Sequence, residues 1–115
     1  MQTLKEGKKK AYISGKVTGL TREEVLANFK QGEKVAKDLG YIPVVPIYYI
    51  TEDETWEGAM KIAIKLQMGC DVVLHLNNWE DSKGAVIEHQ VAQMVNMPIL
   101  LINYPVASMN NAFLS

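Results

Sequence analysis

Between Asp81 and Gln90 the chain reads DSKGAVIEHQ, and three of these residues have types and spacing suited to chemistry. Glu88 is a carboxylate early in a predicted helix, Ser82 supplies a hydroxyl six positions before it, and Gly84 leaves bare backbone between them. A serine and a glycine at a helix start form a ready anion site, because the first N–H groups of a helix lack intrahelical partners. A carboxylate serves as nucleophile, acid or base. Each residue also has a plainer reading. Glu88 near a helix start complements the macrodipole, worth a few tenths to about 1 kcal/mol. Asp81 is a competent helix cap. Trp79, just upstream, suits either stacking on a base or packing on the rim of the core.

A second candidate is the loop SGKVTG, Ser14 to Gly19. Its glycines, Gly15 and Gly19, permit either close backbone approach to a ligand or simply a tight turn. The loop is not a Walker A motif: Lys10 stands where the first glycine belongs, and Val17 follows the lysine. Nor does it match the dinucleotide fingerprint G-x-G-x-x-G, since Gly15 and Gly19 are too far apart. His75 and His89 have no neighbours at zinc-ligand spacing, so no metal is expected, and no motif calls for a cofactor. Cys70, beside Asp71, reads as a small buried hydrophobe.

Four strands and three helices must position these residues. Ala11–Ser14 reads as a strand ending at Gly15, and Thr21 with Glu24 forms a capping box for a helix from Arg22 to Leu39. Gly40 is its natural stop. Tyr41–Val45 is a second strand, at an edge or early position because of Pro43. Trp56–Met68 is helical, with Met60, Ile64 and Met68 as its core stripe. Asp71–Leu76 is a continuous apolar strand of the kind covered on both faces. A helix from about Gly84 to Asn96 and a strand from Pro98 to Ile102 follow, and the tail adds a short helix. This alternation predicts an α/β domain of three layers with a mostly parallel sheet of four to five strands. Ligands in such sheets bind beyond the carboxyl ends of the strands. The loops SGKVTG, VPIYY, NNWEDSKG and INYP lie there.

The 115 residues suit one domain, with residues 1–9 as a basic lead-in and 104–115 as a tail. The formal net charge of −1 argues against a nucleic-acid polymer or an anionic membrane as partner. Lys8, Lys9 and Lys10 read as a solvated approach to the first strand. A single cysteine forbids an intrachain disulfide and suits a reducing compartment. No segment resembles a signal peptide, and no apolar run nears the roughly 20 residues of a membrane helix. The expected location is the cytoplasm.

YISGKVTGL at the first strand, CDVVLHLNNWEDSKGAVIEHQVA in the middle and MPILLI after it carry a resemblance. The chain resembles the small domain-of-unknown-function relatives of nucleoside 2-deoxyribosyltransferases, from about Lys10 to Asn103. The resemblance implies a flavodoxin-like or Rossmann-like fold and a nucleoside or nucleoside 5′-monophosphate as ligand. In the characterised enzymes a Glu attacks the anomeric carbon, the base departs, and water or another base resolves the glycosyl-enzyme. Glu88 matches that nucleophile. Ser82 and Gly84 match a Ser-x-Gly that holds phosphate or the 5′-hydroxyl, and Ser14, Gly15 and Gly19 match the wall of the pocket. Asp71, Trp79 and Asp81 join them as substrate-side candidates. An acid is usual eight positions before Asp71, where this chain has Ala63, so the resemblance implies either N-glycosidic cleavage or transfer, or a weakened module that binds without turnover. A structural interaction domain is the third reading. Relatives often complete their sites with a neighbouring subunit, which implies a homo-oligomer.

Overall fold

The computed structural model describes residues 7–102. Its elements alternate: β1 Lys10–Ser14, α1 Arg22–Asp38, β2 Ile42–Val44, α2 Trp56–Met68, β3 Val72–His75, α3 Lys83–Met94 and β4 Ile99–Leu101. Short 3-10 turns at Pro46–Tyr48 and Trp79–Asp81 lead toward α2 and α3. The described sheet has four strands in the order β2-β1-β3-β4, every pair parallel. β2 is an edge, as Pro43 requires.

Alternation along the strands separates two cores. Ala11, Ile13, Val72 and Leu74 face α1, where Val25, Phe29 and Ala36 meet them. Tyr12 and Val73 point the other way, onto Ala63 of α2 and Ala92 of α3. This makes the three-layer α/β domain of the flavodoxin-like kind. All four residues of β3 are buried, as expected for a central strand with helices on both faces.

Local signals set the helix ends. Thr21 and Glu24 form the capping box, Thr21 Oγ1 accepting from Glu24 N at 3.1 Å and Glu24 Oε1 from Thr21 N at 2.9 Å. Gly40 takes φ +91° just after α1. α3 ends two residues earlier than its pattern predicts, because Asn96 turns left-handed at φ 58°.

One expectation is corrected in α2. The predicted core stripe Met60, Ile64 and Met68 flanks the inward face, and Met68 is 44% exposed. Ala63 and Gln67 occupy the buried line instead. The polar Gln67 is tolerated there because its amide Nε2 donates to the backbone carbonyl of Glu88 at 2.8 Å. Among the described residues no helix is long and apolar enough to cross a membrane. The tail and its predicted short helix, along with the first six residues of the lead-in, lie outside the described residues.

Candidate active site

β1 supplies two hydroxyls to one carboxyl. Tyr12 and Ser14 are two residues apart, so both side chains leave the same face of the sheet. Tyr12 Oη donates to Glu88 Oε2 at 2.6 Å, and Ser14 Oγ donates to Oε1 at 2.8 Å. Glu88, in the second turn of α3, is only 6% exposed. Burial pushes its carboxyl up to about 7, with the two hydroxyl donors pulling in the opposite direction. The Tyr12 hydroxyl is itself raised well above its ordinary value, by burial first and then by the Glu88 charge. The two groups share one proton-bearing contact in a dry setting.

Glu88 and Tyr12 border a cavity of about 810 Å³. The cavity opens where the carboxyl ends of β1, β2 and β3 pass into their loops. Lys16, Val17 and Thr18 line it after β1, and Pro46, Ile47 and Ile50 after β2. Asp81, Ser82, Lys83 and Gly84 close it beside the start of α3. α2 contributes Trp56, Ala59, Met60 and Ala63. A volume of this size accepts a small organic ligand.

Ser82 caps α3, its Oγ accepting from Ala85 N at 3.1 Å. A Cβ on Gly84 would stand 3.0 Å from Met60 Sδ, so its bare Cα lets α2 and α3 approach beside the cavity. Lys83 places its Nζ 4.4 Å from the ring centroid of Trp56. Arg22 and Glu52 pair at 3.5 Å across two elements of the lining.

Of the residues expected at a site, Glu88, Asp81, Ser82 and Gly84 border one cavity, and Ser14 reaches it through Glu88. Four others are placed differently. Asp71 precedes β3, so it sits at the amino end of the sheet, away from the cavity, and its Oδ2 accepts from Lys10 N at 2.8 Å. Trp79 is not part of the cavity lining: its ring stacks at 4.3 Å on His75 and 4.4 Å on His89. Gly15 serves packing, since a Cβ there would come within 2.8 Å of Leu76 Cγ. Gly19 serves the turn, with φ +89° and nothing near its open side.

Sequence reasoning missed Tyr12, Gln67, Trp56 and Lys83. Tyr12 was discoverable from the period of two that puts it beside Ser14; nothing local marks Gln67. His75 and His89 bond to each other, Nε2 to Nδ1 at 3.1 Å. Burial and then the neighbouring His89 hold His75 down to about 4. Among the described residues no three His, Cys, Asp or Glu side chains converge on a metal position.

The fold is also that of a known enzyme. The chain superposes with a TM-score of 0.62 on the 2-deoxyribosyltransferase of the psychrotolerant bacterium Bacillus psychrosaccharolyticus, described as a biocatalyst for nucleoside synthesis. The two are 20% identical, and the match covers 89% of this chain and 77% of that one. No curated protein sequence matches the chain. Residues 9–101, which contain every element from β1 to β4, match the family described as Domain of unknown function (DUF4406), and the chain belongs to that family.

Proposed function

We propose that the protein binds a nucleoside or nucleoside 5′-monophosphate and cleaves or transfers its N-glycosidic bond, with Glu88 as nucleophile. The observation that carries this reading is the buried Glu88 carboxyl, held from both oxygens by Tyr12 and Ser14 at the wall of a ligand-sized cavity. A carboxylate so oriented is suited to attack an anomeric carbon through an oxocarbenium-like transition state. The likeness in fold to an enzyme of nucleoside synthesis supports the choice of ligand. In this reading Ser82, Gly84 and the start of α3 receive the 5′-oxygen or phosphate.

Glu88→Gln and Glu88→Ala test the assignment. Both are expected to abolish product formation from nucleosides while leaving a cooperative thermal transition and ligand binding in place. Turnover that survives in both variants removes Glu88 from the chemistry. A second reading, a nucleotide-binding module without turnover, draws on Ala63, which gives α2 no carboxyl at the cavity. Binding without product in the wild-type protein selects it.

A further inference from the structure

The cavity differs from end to end in what it offers a departing base. α2 turns Ala59, Met60 and Ala63 toward it, and Val17, Ile47 and Ile50 continue that apolar wall. None of these side chains has a proton to give. The Tyr12 hydroxyl commits its proton to Glu88 Oε2. The other carboxyls of the described lining, Glu52, Glu54 and Asp81, are exposed to solvent, and Glu52 is engaged with Arg22. They bring negative charge rather than a sheltered acid.

That arrangement selects among leaving groups. The base of a neutral nucleoside departs with an extra electron pair and must take up a proton. A positioned acid for such a step contributes about 100- to 10,000-fold. A base that is quaternised at the glycosidic nitrogen needs no acid, because the electron pair of the breaking bond cancels its own positive charge. We propose that the site acts on N-glycosides of cationic heteroaromatic rings, ribosylated or deoxyribosylated pyridinium being the simplest class, with or without a 5′-phosphate. This rests on the N-glycosidic reading above and narrows its substrate.

Recognition features of the cavity agree with a cation. Trp56 is 37% exposed and already carries an ammonium, Lys83 Nζ, within cation–π range at 4.4 Å. A flat cationic ring is suited to the same face, and its arrival frees Lys83, at the first turn of α3, for a phosphate. Three carboxyls, Glu52, Glu54 and Asp81, line the cavity against three cations, Lys16, Arg22 and Lys83, and Glu88 adds a negative charge only when it ionises. A positive ligand also eases ionisation of the buried Glu88.

The step balances without an outside reagent. A Glu88 carboxylate oxygen bonds to C1′ as the C1′–N bond breaks, the electron pair goes to the ring nitrogen, and a neutral heterocycle leaves. Water then attacks C1′, the ester oxygen returns to Glu88 as carboxylate, and one proton passes to solvent.

The test uses the full chain with four probes: N-ribosylnicotinamide, its 5′-monophosphate, inosine and thymidine, with products resolved by chromatography. The expected result is kcat/KM for the cationic probes at least about 100-fold above the neutral ones, the gap left where no sheltered carboxyl protonates the base. Across a series of substituted ribosylpyridiniums the rate is expected to fall steeply as the leaving pyridine becomes more basic. Glu88→Gln is expected to stop all cleavage. Trp56→Leu is expected to raise KM for the cationic probes several-fold more than for any neutral one. Neutral nucleosides turned over as fast as the cations overturn the cationic class while the N-glycosidic reading stands. A rate indifferent to leaving-group basicity, with chemistry shown to limit turnover by single-turnover kinetics, overturns it as well. No cleavage of any probe overturns both.

Discussion

In the nucleophilic reading Glu88 has to ionise in a place that resists ionisation. Burial pushes its carboxyl up to about 7, and the hydroxyls of Tyr12 and Ser14 oppose that rise. In the nucleophilic reading these two donors set how much carboxylate exists at neutral pH. Tyr12→Phe removes the 2.6 Å donor, and a hydrogen bond to a charged group is worth about 1.5–3 kcal/mol, or about one to two pKa units. The acidic limb of the pH–rate profile is therefore expected to move up by about one unit or more, with activity at pH 7 falling accordingly; an unmoved limb would deny Tyr12 this role. Ala63→Asp makes a second test. Ala63 borders the cavity but is also 5% exposed and shares a core cluster with Tyr12 and Val73. A carboxyl that reaches the cavity is expected to raise turnover of neutral nucleosides by supplying the proton, at a stability cost of a few kcal/mol for burying a polar group beside that core. Thermal unfolding and product analysis on the one variant separate gain of catalysis from loss of fold. At this scale the sequence was informative where cavity and local signal coincide: Ser82, Gly84 and Glu88 all line the cavity from the first two turns of α3. Tyr12 was marked only by its strand period beside Ser14, since it looks like an ordinary strand residue and meets its partner 76 positions later. Asp71 was avoidable, because a residue that precedes a parallel strand lies at the end opposite the ligand loops.

At the scale of elements, the start of α3 is both a capped helix end and part of the cavity wall. Ser82 closes the helix start through its bond to Ala85 N, and the same start faces the cavity. Replacing such a cap by alanine costs about 1 kcal/mol. Ser82→Ala is therefore expected to lower stability by that order and, if the helix start receives phosphate, to weaken a 5′-monophosphate more than the corresponding nucleoside. Calorimetric titration of both ligands into both proteins checks it. Equal weakening of the two ligands would leave Ser82 as a cap and no more. Caps and glycines were readable in advance because they act over a few residues: the box at Thr21 and Glu24, the stop at Gly40, the edge strand announced by Pro43. The inward face of α2 was not. Its hydrophobic period favours Met60, Ile64 and Met68, yet a small residue and an amide are buried instead. Ala63 and Gln67 are chosen by contacts with β1 and α3 that the helix's own sequence does not contain.

Across the whole molecule two buried groups tie stability to pH with opposite signs. Glu88 has a folded value of about 7 against an ordinary 4.5. The fold prefers its neutral form, so this contribution is fully present below about 4.5 and is lost as pH rises through 7. His75 is depressed to about 4 from 6.5. The fold again prefers the neutral form, but for a base that contribution is present above 6.5 and is lost as pH falls through about 4. Each shift corresponds to about 3 kcal/mol. Between pH 4.5 and 6.5 the two slopes oppose each other, so their combined effect on the wild-type protein is nearly flat there. Single variants are expected to expose what the pair conceals. Glu88→Gln leaves the histidine, and its stability relative to wild type should rise with pH from 4.5 to 7 by about 3 kcal/mol. His75→Phe keeps a ring beside Trp79 and leaves the carboxyl, so its stability relative to wild type should rise as pH falls from 6.5 to 4 by a similar amount. Taking each variant against wild type at the same pH cancels the exposed acids, which neither substitution touches. Urea unfolding at pH 4, 5, 6 and 7 measures both differences. Parallel curves for Glu88→Gln and wild type would mean that the Glu88 carboxyl ionises in the folded protein as easily as in water, and the dry carboxyl at the centre of the site would have to be given up.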